Sequence, residues 1–156
     1  MVLFTAITFV ATLAAPAQDH PGHAMDRANK GMGFDQAKTT HHFRLEHDGG
    51  TIEVVAKDRD DRTTVSQVRG HLKHVDQAFA DGDFSLPMFV HDTEVPGTAV
   101  MKERRSSIAY SLELLPNGAK VMIRTSNPQA LAAVHEFLRY QIREHKTGDP
   151  LQPKSK

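Results

Sequence analysis

The sequence predicts an α+β fold of two ββα units, in which a four-stranded antiparallel sheet carries two helices on one face. Three observations support this class. Apolar residues alternate along two pairs of short segments, a glycine-containing turn joins each pair, and a segment of helical periodicity follows each pair.

The first unit is predicted as a hairpin over residues 41–57 that turns at Asp48-Gly49-Gly50, because these residues tolerate positive φ. A helix follows from about Thr64 to Ala80, and a capping box begins at Thr64. The apolar stripe of this helix is Val65, Val68, Leu72, Val75 and Phe79.

The second unit repeats this order with a hairpin over residues 108–125 that turns at Pro116-Asn117-Gly118. Asn127-Pro128 supplies a cap and a proline for the start of a second helix, and Gly148 and Pro150 end it. Its stripe is Leu131, Val134, Leu138 and Ile142. Residues 84–100 are predicted to cross between the units as a long loop.

The opposite face of the sheet is predicted to be solvated, since it carries Arg44, Glu46, Glu53, Glu113, Lys120 and Arg124. Three apolar residues lie among these charges, and they are a possible contact surface for a homodimer: Val55, Leu115 and Met122.

The N-terminus has the pattern of an export signal. The segment from Val2 to Ala15 is apolar, and Ala15-Pro16-Ala17 fits the small-x-small cleavage rule, although no basic residue precedes the apolar run. We therefore predict a signal peptide over residues 1–17 and a periplasmic or secreted mature chain without a membrane segment. The alternative is a buried N-terminal strand or helix.

The mature chain is predicted to consist of a flexible arm over residues 18–38, a single α+β domain over residues 39–150 and a disordered tail over residues 151–156. Lys+Arg and Asp+Glu number 19 each, so a nucleic-acid partner, which needs a basic surface, is not expected. The chain has no cysteine, which excludes disulfides, thiolate zinc sites and iron–sulfur clusters.

Several short motifs resemble those of a family of small exported bacterial proteins. They are Thr39-Thr40-His41-His42-Phe43, His71-Leu72-Lys73-His74, and the run from His135 to Gln141 that reads HEFLRYQ. Matching pieces cover most of the mature chain. The resemblance implies export and a shared fold, and it implies no reaction and no ligand.

Histidine is the most informative residue type, because all ten histidines follow the predicted signal peptide. His41, His71 and His135 come from three elements and are predicted to converge where the sheet meets the helices. His74 is the nearest addition, and His91 of the crossing loop would close the site. His42 is a further candidate ligand, although it faces the opposite side of its strand.

These histidines lead to the hypothesis of an exported metal-binding protein, with copper favoured over zinc. Imidazole binds both metals, and a thioether favours copper(I) when thiolates are absent. The arm adds His20, His23, Met25 and Met32, which suit the same metal.

Two alternatives remain open from the sequence. The histidines could serve packing in a structural or interaction module, or a histidine could act as general base in a small exported enzyme. The chain contains no GxSxG, P-loop or dinucleotide motif, and Arg139 stands where a zincin motif starting at His135 needs its second histidine.

Overall fold

The computed structural model describes Asp26 and residues 29–153. The predicted signal peptide, residues 18–25, 27 and 28 of the predicted arm, and the last three residues lie outside the described residues. The strands are β1 (Thr39–Glu46), β2 (Gly49–Ala56), β3 (Ile108–Leu115) and β4 (Gly118–Thr125). The helices are α1 (Arg62–Ala80), α2 (Ser85–His91), α3 (Thr98–Glu103) and α4 (Pro128–Glu144), and short 3₁₀ turns span Gln36–Lys38 and Arg105–Ser107.

The four strands form one antiparallel sheet in the order β1-β2-β4-β3, which confirms the predicted α+β fold of two ββα units. Apolar side chains of one sheet face and both long helices form a single buried cluster. The opposite face is charged as predicted, with ion pairs Arg44–Glu53 at 3.0 Å and Lys120–Glu113 at 2.9 Å.

The start of α1 differs from the prediction in its capping residue. The side chain of Asp61, rather than that of Thr64, caps the helix by accepting the backbone N–H of Thr64 at 3.0 Å. A carboxylate at this position also interacts favourably with the positive end of the helix dipole.

The crossing segment was predicted as a long loop, and this was wrong, because it contains the short helices α2 and α3. Pro87 lies in the first turn of α2, where a missing N–H costs nothing. Pro96 and Gly97, which has φ 85°, stand between the two helices and separate them. The prolines and the glycine therefore mark helix boundaries within the segment.

The second half of the predicted flexible arm belongs to the domain. Met32 and Phe34 are buried in the main apolar cluster, and the side chain of Asn29 accepts the backbone N–H of Gln36 at 3.1 Å. The prediction of poor packing was therefore wrong for residues 29–38. Burial of the Met32 and Phe34 side chains holds this segment on the domain, although Gly31 and Gly33 lie beside them.

The two ββα units are related by a regular internal correspondence. Ile108 begins β3 69 positions after Thr39 begins β1, and Gly118 begins β4 69 positions after Gly49 begins β2. The helix caps Asp61 and Asn127 lie 66 positions apart. Each long helix packs mainly on the hairpin of the other unit, α1 on β3 and β4, and α4 on β1 and β2.

Each long helix also binds the turn of the hairpin that it covers. The guanidinium of Arg69 in α1 donates to the carbonyls of Leu115 at 2.6 Å and Gly118 at 3.2 Å. At the corresponding place, His135 Nε2–H in α4 donates to the carbonyls of Glu46 at 2.8 Å and Gly49 at 3.0 Å. The four carbonyls occupy equivalent positions in the two hairpins.

One edge of the sheet is covered by the segment that follows α4. The carboxylate of Asp149 accepts the backbone N–H of Phe43 in the edge strand β1 at 3.0 Å and His42 Nδ1–H at 3.0 Å. Further along, Arg139 Nε donates to the carbonyl of Leu151 at 2.9 Å. The predicted disordered tail, residues 151–156, therefore has a hydrogen-bonded first residue.

We predict that Asp149→Ala lowers the free energy of unfolding by about 1.5–3 kcal/mol, because an edge-strand N–H and an imidazole lose a charged acceptor. Urea denaturation measures the change. Asp83 follows α1 at the equivalent place but binds the nearby Ser85, whose backbone N–H it accepts at 2.8 Å, so Asp83→Ala is the matched control with a smaller loss. Equal losses for the two variants would show that Asp149 does not hold the edge strand.

Candidate functional site

A cavity of about 60 Å³ lies between the helix-facing side of β1 and β2, the two helices α1 and α2, and the C-terminal end of α4. Four histidines from four elements line it: His41, His71, His91 and His145. The other lining side chains are apolar except for Gln141. Among the lining residues no carboxylate is present, so the wall carries polar groups but no negative charge.

The imidazole rings of this group, the imidazole cluster, lie in contact with one another and with aromatic side chains. The rings of His41 and His145 stack with centroids 5.2 Å apart at an interplanar angle of 20°. His91 meets His145 edge to face at 5.3 Å. Phe34 links His71, at 5.4 Å, with His41, at 6.0 Å.

Burial keeps these imidazoles neutral. Desolvation is the largest cause at each ring, and it lowers the pKa of His41 and His71 to about 4 and that of His145 to about 3. Repulsion between neighbouring imidazoles lowers each value further. The pKa of His91 is also lowered by burial, against a raising effect of its hydrogen bond to Gln141. The cluster is therefore uncharged at neutral pH, and each neutral ring has one unprotonated nitrogen.

Two buried polar atoms of the cavity have no hydrogen-bond partner within the described residues. One is Nε2 of His41 and the other is Nε2 of Gln141, a side chain that is 4% exposed. The oxygen of the same amide is occupied, because Gln141 Oε1 accepts His91 Nε2–H at 3.1 Å. Buried polar groups almost always find partners, so these two atoms are the polar contacts that the cavity offers to a small ligand or a water molecule.

A metal site formed by histidines and carboxylates alone is not preformed. Among the described residues, no three His, Asp or Glu side chains are arranged to hold one ion. A thioether is also present, because Met32 lines the same cavity as His41 and His145. The chemistry present is therefore two stacked imidazoles, further imidazoles nearby and one thioether.

Three of the six histidines predicted from the sequence meet in the cavity, namely His41, His71 and His91. His74 is exposed on α1. His42 faces the other side of β1 and binds Asp149.

His135 does not join His41, and the prediction that it would was wrong. It lies ten residues before His145, about 15 Å along the helix axis, and its Nε2–H is used by the β1–β2 turn. Facing the same side of the sheet was not sufficient for convergence.

The sequence prediction missed His145 and Gln141. His145 is the C-terminal cap residue of α4 and follows the buried residues Gln141 and Ile142 by one helical turn. Continuing the apolar stripe from Leu138 through Ile142 by three more positions would have found it. Gln141 gives no such signal, because a polar residue beside a stripe usually marks its margin.

Comparisons with family models, with curated proteins and with solved structures found no match to this chain. The two halves of the chain serve as each other's reference instead, because the fold places equivalent residues in equivalent surroundings.

This internal comparison shows that the histidines of the cavity replace aromatic residues. By the offsets given above, His41 corresponds to Tyr110, His71 to Phe137 and His145 to Phe79. Those three aromatic residues pack together, with Phe79 5.7 Å from Phe137 and 6.1 Å from Tyr110. The fold therefore accepts packed aromatic rings at these positions, although the hydroxyl of Tyr110, like Nε2 of His41, is buried without a partner among the described residues.

We predict that His145→Phe folds with a free energy of unfolding at pH 7 within about 1 kcal/mol of the original, because the adjacent cavity can take up the slightly larger ring. The depressed pKa values mean that the unfolded chain binds more protons below pH 6.5. Stability is therefore complete above that pH and falls as the pH decreases towards 4.

The variant should lose less stability on acidification than the original chain, by about 2 kcal/mol between pH 7 and pH 5, since one buried imidazole no longer opposes folding. Urea denaturation at both pH values measures this. His47→Phe, at an exposed histidine outside the cavity, is the control and should leave the pH dependence unchanged. Identical pH slopes in the original chain and His145→Phe would contradict the buried, neutral state of His145.

Proposed function

We propose that this protein is an exported copper-handling protein that binds one copper(I) ion in the cavity, with His41, His145 and the thioether of Met32 as ligands. The observation that carries the proposal is the buried Nε2 of His41, which has no partner among the described residues, in a cavity where His145 stacks on the same ring. His91, whose ring meets that of His145 at 5.3 Å, is a further imidazole beside them. Export is supported by the signal-like first 17 residues.

The size of the cavity favours an ion over an organic ligand. Pockets for organic ligands usually have volumes of about 300–1,000 Å³, whereas this cavity has about 60 Å³. A space of this size fits one ion with a small additional ligand. An enzyme that acts on an organic substrate through these histidines would need a far larger cavity.

The charge of the wall favours copper(I) over zinc or copper(II). Burying an ion is costly unless opposite charges or good ligands compensate, and the lining side chains include no carboxylate. A monovalent ion leaves half the net charge of a divalent ion in the same surroundings. Imidazole and thioether are also ligands that a soft monovalent copper accepts.

The neutral state of the imidazoles supports metal binding. A proton competes with a metal for the same ring nitrogen, so metal affinity normally falls on acidification. At His41 and His145 the protonated form is disfavoured by burial. The internal comparison supports a role beyond packing, because phenylalanine and tyrosine fill the equivalent positions of the other half.

The proposal is tested with mature protein, exported by a bacterial host and purified without chelators, by anaerobic titration against a chromogenic copper(I) chelator. We expect one equivalent of copper(I) and much weaker binding of zinc. His145→Phe should weaken copper(I) binding by more than about 100-fold, since even outer-shell changes at metal sites cost 10- to 100-fold.

Two matched controls separate ligands from other copper-binding groups. His47→Phe removes an exposed histidine outside the cavity and should keep the affinity. Met32→Leu should weaken binding, and Met122→Leu, which removes a half-buried thioether on the opposite sheet face, should not. Failure to take up copper(I), or equal affinities across all four variants, would overturn the proposal.

A further inference from the structure

The side chain of Gln141 is the most deeply buried polar group of the cavity. It is 4% exposed, and its oxygen is fixed by His91 Nε2–H at 3.1 Å. Its amide nitrogen is buried without an acceptor in the part of the chain that the structure describes. A buried donor without a partner is destabilising, so an acceptor in the cavity would remove that penalty.

The internal comparison shows that packing does not require this amide. By the 66-residue offset between the helices, Gln141 corresponds to Val75, which is buried in the apolar cluster of the other half. Gln141 therefore belongs with the three histidines that stand in place of apolar or aromatic residues. It is also the residue that His91 holds in place.

Gln141 lies close to the proposed metal ligands along α4. Gln141 and His145 are four positions apart, so their side chains are neighbours on one face of the helix, and both line the cavity. The set His41, His145 and Met32 provides three ligands. A tetrahedral ion would have one position left for a ligand from outside.

We infer that the cavity binds one diatomic molecule as the fourth ligand of copper(I), and that the amide N–H of Gln141 donates a hydrogen bond to its outer atom. This inference rests on the proposed function. The volume of about 60 Å³ limits the ligand to a few atoms, and the mainly apolar wall favours a neutral one. Gln141 is thus a positioning residue that selects hydrogen-bond acceptors.

Carbon monoxide is the probe, because it binds copper(I) and its infrared stretch reports on its surroundings. The protein is loaded with one equivalent of copper(I) under anaerobic conditions, and its copper content is measured before gas is added. We expect one C–O stretching band. Gln141→Leu should move the band to higher frequency, because losing an N–H donor at the oxygen reduces back-donation from the metal.

The matched control is Gln77→Leu, the same change at an exposed position of α1, which should leave the band in place. A shift confined to Gln141→Leu at unchanged copper content supports the inference. Copper-loaded protein without a C–O band, or with the same band in both variants, overturns the inference and leaves the proposed function standing. A chain that binds no copper overturns both.

Discussion

The structure depends on the contact between its two halves, because each half supplies the helix that covers the other. Each long helix covers the hairpin of the other unit, and a side chain of that helix satisfies the carbonyls of the covered turn, Arg69 in one case and His135 in the other. A ββα unit alone would leave its apolar strand face open to water and its turn carbonyls without these donors. The core, the sheet register and the cavity all follow from this mutual coverage.

The same arrangement explains how a cluster of neutral imidazoles can exist in the core. The core contains two sets of equivalent positions, one from each way of pairing a hairpin with the helix that covers it. One set holds the aromatic rings of Tyr110, Phe79 and Phe137, and the other holds the imidazoles of His41, His145 and His71. Imidazole is smaller than a phenyl ring with similar planarity, so a small space remains. The protein loses stability in acid through these substitutions, and in return it places ring nitrogens where bulk water is largely excluded.

Most of the fold was predictable because its signals are local. Alternation gave all four strands, and the turns Asp48-Gly49-Gly50 and Pro116-Asn117-Gly118 joined them correctly. The close approach of the two central strands could not be predicted from local signals, because it depends on residues far apart in the sequence. A side chain on Gly49 or Gly118 would collide with the backbone of the neighbouring strand. The packing of Met32 and Phe34 depends on an apolar space that only the assembled domain provides.

The site was predictable only in part, for a geometric reason. Periodicity states which side of an element a residue faces, and this placed His41 and His71 correctly. It does not state how far along a helix two residues lie from a common point, so His135 was chosen and His145 was missed. Gln141 looked like a residue at the margin of an apolar stripe. Its role could not be predicted, because the neighbours that bury its amide come together only in the folded domain.

The covered edge of β1 has a consequence for how copies of this protein can associate. Asp149 occupies the N–H of Phe43, which a strand of another molecule would need in order to pair there. Addition of a foreign strand at this place on β1 would therefore first require Asp149 to release that N–H, which disfavours pairing at this edge.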